Sequence, residues 1–219
     1  MVTEDVAGAA AERVVAVVQS GGHIALSGGS TPRKAHEKLA GMGLDWSGVE
    51  LWFGDDRVVP PDHEHSNYRM ALESLGDVAP YHRIHGELGY EAAADEYEQE
   101  LRDAGPAAFD LILLGLGPDA HTASLFPDDS ALGERERLAV GVATPNMAPL
   151  VSRVTLTLPV LNAGKEVVFL ISGEDKAEAV ARAFGDAPSP DAPASLVRPA
   201  SGPTVLLDPP AAARLGAAG

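Results

Sequence analysis

A histidine at position 121 follows a short apolar run and two glycines, an arrangement suited to acid–base chemistry. The run Leu111 to Leu114 is short and continuous, which is typical of a parallel strand buried on both faces. At Gly115 and Gly117 the backbone can turn sharply and a ligand can approach closely. Open α/β sheets bind ligands beyond the carboxyl ends of their strands, which is where this loop would lie. We therefore predict that His121 performs the chemistry.

The same loop also fits two other interpretations. Residues 115–120 match the loose dinucleotide-binding pattern G-x-G-x-x-[G/A] after a strand. However, Pro118 removes an N–H group that a pyrophosphate would need, and Asp119 places a negative charge at the anion site. The pattern also requires a second strand ending in an acidic residue about twenty positions on, and none follows. A structural capping loop with an incidental histidine stays open from local sequence alone.

A second glycine-rich loop follows the predicted strand His23 to Leu26. The helix after it is predicted over residues 33–39, with Thr31 as the N-cap and Pro32 in the first turn. Free N–H groups, the helix dipole and two hydroxyl groups would make this loop an anion site. An ordinary strand–helix turn is the alternative, although it would need only one glycine. The candidate phosphate ligands are Gly28, Gly29, Ser30 and Thr31.

Charged residues follow two further predicted strands. The strand Val49 to Phe53 leads into Asp55, Asp56 and Arg57, which could face a substrate or could only cap loops and pair with one another. The strand 166–171 is followed by Lys176, at the start of a predicted helix. Because the carboxyl ends of parallel strands share one edge, we expect these groups to lie near His121.

Two histidines, His63 and His65, raise the question of a metal site. The residues around them do not complete a set with zinc-like spacing, so we predict no metal. Ser66 or Asn67 as the N-cap of the next helix is the favoured local role.

Strands and helices alternate along the whole chain, which predicts an α/β fold. We expect one doubly wound, mainly parallel sheet with helices on both faces, in a single domain over residues 1–219. The segment Val154 to Leu158 alternates in polarity and is predicted to be a half-buried strand.

The composition limits the partners. The 219 residues include 16 Lys and Arg against 32 Asp and Glu, a net charge of −16, and contain no cysteine. This balance opposes non-specific binding to nucleic acids or acidic membranes, and a small anion would need a local basic pocket. Thiolate metal sites and disulfides are excluded. The acidic start of the chain and the lack of a long apolar run favour a cytoplasmic location.

Taken together in chain order, these motifs resemble the glucosamine-6-phosphate isomerase/6-phosphogluconolactonase family, and within it the 6-phosphogluconolactonases. The resemblance covers roughly residues 20–200. Related deaminases carry Asn-Glu-Pro a few residues beyond the histidine, whereas this chain has Leu125-Phe126-Pro127, as the lactonases do. The segments that carry the resemblance are 27–32, 55–57, 66–68, 115–127, 153–157 and 173–176.

The resemblance implies hydrolysis of 6-phosphoglucono-1,5-lactone to 6-phosphogluconate, in the oxidative branch of the pentose phosphate pathway, without a cofactor. It implies that His121 is the general base and that the phosphate binds the Gly28–Thr31 loop. Asp119, two residues earlier, would either orient or charge-stabilise His121 or only shape the turn. The further substrate contacts that the resemblance implies are Asp55, Arg57, Gly117, Arg153, Lys176 and Arg198. The partner would be a sugar phosphate and the protein a monomer or small homo-oligomer. A deaminase-like isomerase and a non-catalytic sugar-phosphate sensor are the alternatives.

Three positions depart from the family pattern. Asp56 stands where the family usually has Glu, which shortens a side chain next to Arg57. Ala120 replaces a customary glycine, so a positive φ there would be strained. Many lactonases have a lysine in the segment that here reads Pro145-Asn146-Met147-Ala148-Pro149, so phosphate recognition must depend on the remaining basic residues.

Overall fold

The strands of the protein form two sheets. A computed structural model describes residues 1–143, 148–185 and 187–216. In this part of the chain, five strands form a parallel sheet in the order β2-β1-β4-β7-β8, and three form an antiparallel sheet in the order β3-β6-β5. The strands are β1 Gly22–Leu26, β2 Val49–Phe53, β3 Asp55–Arg57, β4 Leu111–Leu114, β5 Ala139–Val142, β6 Arg153–Leu156, β7 Val167–Ile171 and β8 Thr204–Leu207.

Helices connect most of these strands. The α-helices are α1 Val6–Ser20, α2 Ser30–Ala40, α3 Asn67–Leu75, α4 Tyr90–Asp103, α5 Leu158–Ala163 and α6 Ala177–Val180. Single 3-10 turns lie at Gly86–Leu88, Ser130–Gly133, Glu174–Lys176 and Pro193–Leu196, and a π-helical turn at Ala181–Gly185 continues α6. None of the helices in the described ranges is both long enough and apolar enough to cross a bilayer.

The strand order places a reversal of the winding between β1 and β4. From β1 the chain moves to β2 on one side, and from β4 it moves to β7 and β8 on the other. Because parallel crossovers are right-handed, the connections of the two halves fall on opposite faces of the sheet. The predicted doubly wound, mainly parallel α/β fold is therefore confirmed. The crevice beyond the ends of β1 and β4 is where such a sheet binds ligands.

The antiparallel sheet was not predicted as a separate unit. Strand β6 was expected to be half-buried, but all four of its residues are buried. It lies between β3 and β5 and packs against α4, so neither of its faces meets water. Gly54 joins the two sheets: its N–H donates to the Leu26 carbonyl over 2.9 Å, and its carbonyl accepts from the Leu156 N–H over 2.8 Å.

Helix α2 begins earlier than predicted. Gly29, not Thr31, is the N-cap, and its φ of 111° is a conformation that glycine adopts easily. Ser30 and Thr31 consequently lie in the first helical turn, where backbone N–H groups have no acceptor within the helix. Because Gly29 has no side chain, it cannot cap these N–H groups as the predicted Thr31 cap would have done.

Candidate active site

A cavity of about 300 Å³ lies where the loops after β1, β4 and β7 meet. The antiparallel sheet supplies further walls through β3 and the start of β6. The cavity thus occupies the crevice that the winding of the sheet predicts. It brings together ten of the predicted site residues: Gly28, Gly29, Ser30, Thr31, Asp55, Arg57, Gly117, His121, Arg153 and Lys176.

Two predicted residues are not in the cavity wall. Asp119 lies behind His121 and contacts it directly. Arg198 lines a separate cavity with Phe184 and Val205, so the structure does not bring it to the other site residues. Arg198 lies in the connection that leads to the start of β8, and its backbone N–H donates to Oδ1 of Asn162. The start of β8 is at the edge of the sheet opposite to the carboxyl ends of the parallel strands.

His121 is held by contacts on several sides. Its Nδ1 lies 2.5 Å from Oδ1 of Asp119, and its backbone N–H donates to the same oxygen over 3.1 Å. The imidazole packs against Phe126 with ring centroids 4.5 Å apart. A β-carbon at Gly117 would lie 2.0 Å from Nδ1 and Cε1 of His121, so this glycine makes room for the ring. The imidazole is therefore fixed, and Nε2 forms no hydrogen bond with the described residues.

The Asp119 carboxylate is the ionised partner of this pair. Burial opposes its ionisation, but the hydrogen bonds and charge of His121 outweigh burial and lower the pKa of Asp119. An ionised Asp119 accepts a hydrogen bond, so Nδ1 of His121 carries the proton and donates. Nε2 is then the unprotonated nitrogen with a free lone pair. The pair can therefore supply a base directed away from Asp119.

The loop around His121 is strained, as predicted for Ala120. Three non-glycine residues have positive φ: 66° at Ala120, 48° at Ala123 and 61° at Asp128. Each left-handed residue costs about 1–2 kcal/mol. Leu125 and Phe126 are almost fully buried and anchor the loop against this strain. Such strain is often stored at functional sites, where it sets the geometry of a reactive group.

The two arginines at the cavity, Arg57 and Arg153, have no carboxylate within salt-bridge distance among the described residues. Arg57 and Arg153 are register partners on β3 and β6, which places two like charges opposite each other. Arg153 is 4% exposed and donates only to the carbonyls of Val151 and Pro149 among the described residues. Burial lowers its pKa, and the Arg57 charge adds to this effect against the attraction of Asp55. A bound anion would satisfy both guanidinium groups.

Lys176 adds a third cation to the cavity wall. It follows β7 in a 3-10 turn, and its Nζ lies 3.8 Å from the exposed carboxylate of Asp175. The helix predicted from Lys176 to Phe184 is present, but only α6 is α-helical and the following turn is π-helical. The lysine reaches the cavity, as the position of β7 predicts.

The glycine loop and Asn67 are fitted to each other. A β-carbon at Gly28 would lie 2.0 Å from Oδ1 of Asn67, so only glycine leaves room for that amide. The Asn67 amide also donates to the Asp55 carbonyl over 2.9 Å, and its oxygen accepts from Arg57 over 3.1 Å. Asn67 thus connects the phosphate loop to the arginine.

Sequence reasoning placed Asn67 at the helix cap and missed its part in the cavity. Ser27, Thr122 and Phe126 were likewise not predicted as site residues, although they line the cavity. The Ser66-Asn67-Tyr68 motif was the available indication for Asn67. For Phe126, the indication was the apolar pair that follows the histidine loop.

Residues 1–143, 148–185 and 187–216 contain no group of three or more His, Asp or Glu side chains that could hold a metal ion. The His65 N–H donates to Nδ1 of His63, which occupies one candidate ligand atom. The segment in which a lysine is replaced lies partly outside the described residues, since Pro145, Asn146 and Met147 are not among them.

Comparison with known proteins gives the same picture. The family model described as glucosamine-6-phosphate isomerases/6-phosphogluconolactonase matches residues 1–206. The chain belongs to this family. The resemblance seen in the motifs is therefore confirmed over nearly the whole chain.

Individual relatives of the family are similar over most of their lengths. The 6-phosphogluconolactonase of Streptomyces coelicolor is 39% identical over 214 residues, covering 88% of this chain and 81% of that protein. The human 6-phosphogluconolactonase is 42% identical over 175 residues, covering 75% of this chain and 67% of that protein. The solved structure of the Trypanosoma cruzi 6-phosphogluconolactonase superposes with a TM-score of 0.88 at 28% identity, covering 99% and 96% of the two chains.

Proposed function

We propose that this protein hydrolyses 6-phospho-D-glucono-1,5-lactone to 6-phospho-D-gluconate, as the names of its relatives indicate. The observation that carries the proposal is one cavity lined by a histidine that Asp119 fixes from behind and by two arginines, the buried Arg153 and the half-buried Arg57, which have no carboxylate within salt-bridge distance in the described chain. The first can activate water, and the second can bind a phosphate. A phosphorylated lactone requires both.

The reaction follows from the free nitrogen of His121. Nε2 removes a proton from a water molecule, and the resulting hydroxide attacks the lactone carbonyl carbon. The bond between that carbon and the ring oxygen then breaks, and the imidazolium returns its proton to the ring oxygen. One water is consumed, the ring opens, and the base is restored. Asp119 stabilises the imidazolium between the two transfers.

Binding of the remote phosphate places the lactone carbon at the base. We assign the phosphate to the Gly28–Thr31 loop, with Arg57, Arg153 and Lys176 supplying positive charge. These groups do not react, but their binding energy fixes the orientation of the reacting carbon. This local charge also explains how a protein with a net charge of −16 would bind an anion.

The two alternative functions have less support. A deaminase-like isomerase would need an acidic side chain just beyond the histidine loop, where Leu125 and Phe126 are apolar and buried. A sugar-phosphate sensor would need the phosphate loop but not a base held by Asp119. The His121–Asp119 contact therefore favours the hydrolase.

The test is hydrolysis of freshly generated 6-phosphogluconolactone, corrected for spontaneous ring opening, by wild type and His121→Ala. We expect rapid hydrolysis by wild type and its loss in the variant, while 6-phosphogluconate still binds in calorimetry. His85→Ala is a matched control, since His85 pairs with Glu96 outside the cavity. Failure of the folded wild type to accelerate hydrolysis would overturn the proposal and favour the sensor.

Finer assignments are part of the same proposal. We place the protein in the cytoplasm, as a monomer or small homo-oligomer that needs no cofactor, and as a single domain. The single domain is supported by one cluster of buried side chains that includes Ile24 and Phe169 of the parallel sheet and Val140 and Leu156 of the antiparallel sheet.

A further inference from the structure

We propose that Asp56 is a positioning residue, whose carboxylate fixes Arg57 and Asn67 in the orientation that binds the substrate phosphate. Asp56 is 2% exposed and does not line the cavity, so it does not touch substrate itself. The inference rests on the proposed function, because it assigns Asp56 to the phosphate end of that site.

The Asp56 carboxylate collects four donors from two elements. Oδ1 accepts from the backbone N–H groups of Arg57 and Asn67, each over 2.7 Å. Oδ2 accepts from the Ser66 hydroxyl over 3.2 Å and from the Tyr68 N–H over 3.1 Å. One side chain on β3 therefore holds the first turn of α3 at a fixed position against that strand.

Both elements that Asp56 joins deliver a side chain to the cavity. Nη1 of Arg57 donates to the His65 carbonyl over 2.7 Å and to Oδ1 of Asn67 over 3.1 Å. These two acceptors belong to the segment that enters α3, whereas Arg57 itself belongs to β3. If α3 shifted relative to β3, Arg57 would lose the partners that direct it. Its Nε is buried and has no hydrogen-bond partner among the described residues, so little else would restrain the guanidinium.

Stability alone would not favour a buried, ionised carboxylate at position 56. Burial, together with the neighbouring Asp55 charge, raises the pKa of Asp56 to about 6 despite its hydrogen bonds. The other charged or titratable groups near it are Arg57, Arg153 and Tyr97. At neutral pH the ionised carboxylate therefore opposes folding relative to a neutral side chain. A role in binding accounts for a charge that folding does not favour.

The decisive variant is Asp56→Asn, which keeps one acceptor oxygen but turns an NH₂ group toward the donors of Ser66 and Tyr68. We expect KM for the lactone to rise about tenfold, with kcat within about threefold, because binding is lost and the base is intact. The melting temperature at pH 8 should change little, because removal of the buried charge offsets the loss of the acceptor for the Ser66 and Tyr68 donors. Asp110→Asn is the matched control, since Asp110 also accepts a backbone N–H, that of His23, away from the cavity. It should leave KM unchanged.

A double-mutant cycle tests whether Asp56 acts through Arg57. On the Arg57→Ala background, Asp56→Asn should raise KM by much less than it does in wild type, because the group it positions is gone. An unchanged KM in Asp56→Asn would overturn the inference. So would an equal effect on both backgrounds, or a fall in kcat together with the melting temperature.

Two further measurements keep the test decisive. If Asp56→Asn does not fold, Ser66→Ala removes one of the four donors, and we expect a smaller rise in KM; no rise would contradict the inference.

If wild type does not hydrolyse the lactone, the proposed function fails separately. The dissociation constant of 6-phosphogluconate, measured by calorimetry in the same variants, should then still rise about tenfold in Asp56→Asn; an unchanged value would contradict the inference.

Discussion

Nδ1 of His121 lies 2.5 Å from Oδ1 of Asp119, two residues earlier in the chain. Asp119 is ionised and can only accept, so Nδ1 carries the proton and donates. The base is therefore Nε2, and its direction is set by a residue that does not line the cavity. Asp119 therefore orients the base, whereas other residues, those that line the cavity, bind the substrate.

Replacing Asp119 should consequently affect kcat and not KM. In Asp119→Asn the amide can donate to Nδ1, which favours the tautomer with the proton on Nε2 and leaves no base. We expect kcat to fall about 10²–10³-fold, within the range for loss of acid–base catalysis, with KM within about threefold. Steady-state lactone hydrolysis measures both constants.

The control for this prediction is Asp45→Asn. Asp45 accepts the N–H of Ser47, two residues on, as Asp119 accepts that of His121, but Asp45 lies outside the cavity. It should leave kcat unchanged. A rise in KM with kcat preserved in Asp119→Asn would show that Asp119 serves binding instead.

The space for the His121 ring depends on Gly117. A β-carbon there would lie 2.0 Å from ring atoms of His121, whereas one at Gly115 would have its nearest contact, Ser27 Oγ, at 3.7 Å. Since a displacement of about 1 Å can lower a rate about 10²-fold, Gly117→Ala should lose activity by about that factor. Gly115→Ala should retain more than about half of the activity, because an ordinary contact displaces nothing. Equal activity of the two variants in the lactone assay would contradict this view of the loop.

The sequence predicted most of the site because parallel strands place their carboxyl ends at one edge. His121, the Gly28–Thr31 loop and Lys176 all follow such strands and reach the cavity. Arg198 does not follow a strand end but precedes β8, and no local pattern shows where that connection lies. Arg153 reaches the cavity for a different reason, since β6 runs antiparallel to β3 and opposes Arg57.

The start of α2 and the separate antiparallel sheet were not predicted either. The capping preference of Thr31 was overridden by Gly29, whose positive φ directs the chain into the helix earlier. Strand β3 pairs with β6, which joins residues about 100 positions apart in the chain, and alternation of polarity does not encode such pairing.

Arg153 should contribute to binding and not to folding. It is buried opposite Arg57 without a carboxylate partner within salt-bridge distance in the described chain, so Arg153→Met removes a repulsion as well as two hydrogen bonds to carbonyls. Loss of a charged contact worth about 1.5–3 kcal/mol should raise KM about 10–100-fold. The melting temperature should fall by no more than about 2 °C.

Inorganic phosphate provides an independent measurement of the same role. Phosphate should raise the melting temperature of wild type, since it binds the folded state, and should raise that of Arg153→Met much less. Arg102→Met is the control, because Arg102 lies on the exposed side of α4 and pairs with Glu98. Equal phosphate stabilisation of wild type and Arg153→Met would exclude Arg153 from the anion site.

Stability in mild acid should depend on His36, a buried residue of the helix that begins at the phosphate loop. Ser74 donates its hydroxyl proton to the Met70 carbonyl, so Nδ1 of His36 must be the donor in the 3.1 Å contact with Ser74. Nε2 is then unprotonated, and it is buried with no hydrogen-bond partner in the part of the chain that the structure describes. A proton added there would be a buried charge, and burial accordingly lowers the pKa of His36 to about 4.

Lowering the pH should therefore destabilise the folded state through this group. The unfolded chain takes up the proton near pH 6.5, whereas the folded state resists it until about pH 4, so the free energy of unfolding falls between these values. Between pH 6.5 and 5 the loss should be about 1.5–2 kcal/mol. In His36→Leu this contribution should vanish, which urea unfolding of both proteins at the two pH values would measure. A difference in stability between wild type and His36→Leu that is the same at pH 5 and 6.5 would show that folding does not lower the pKa of His36.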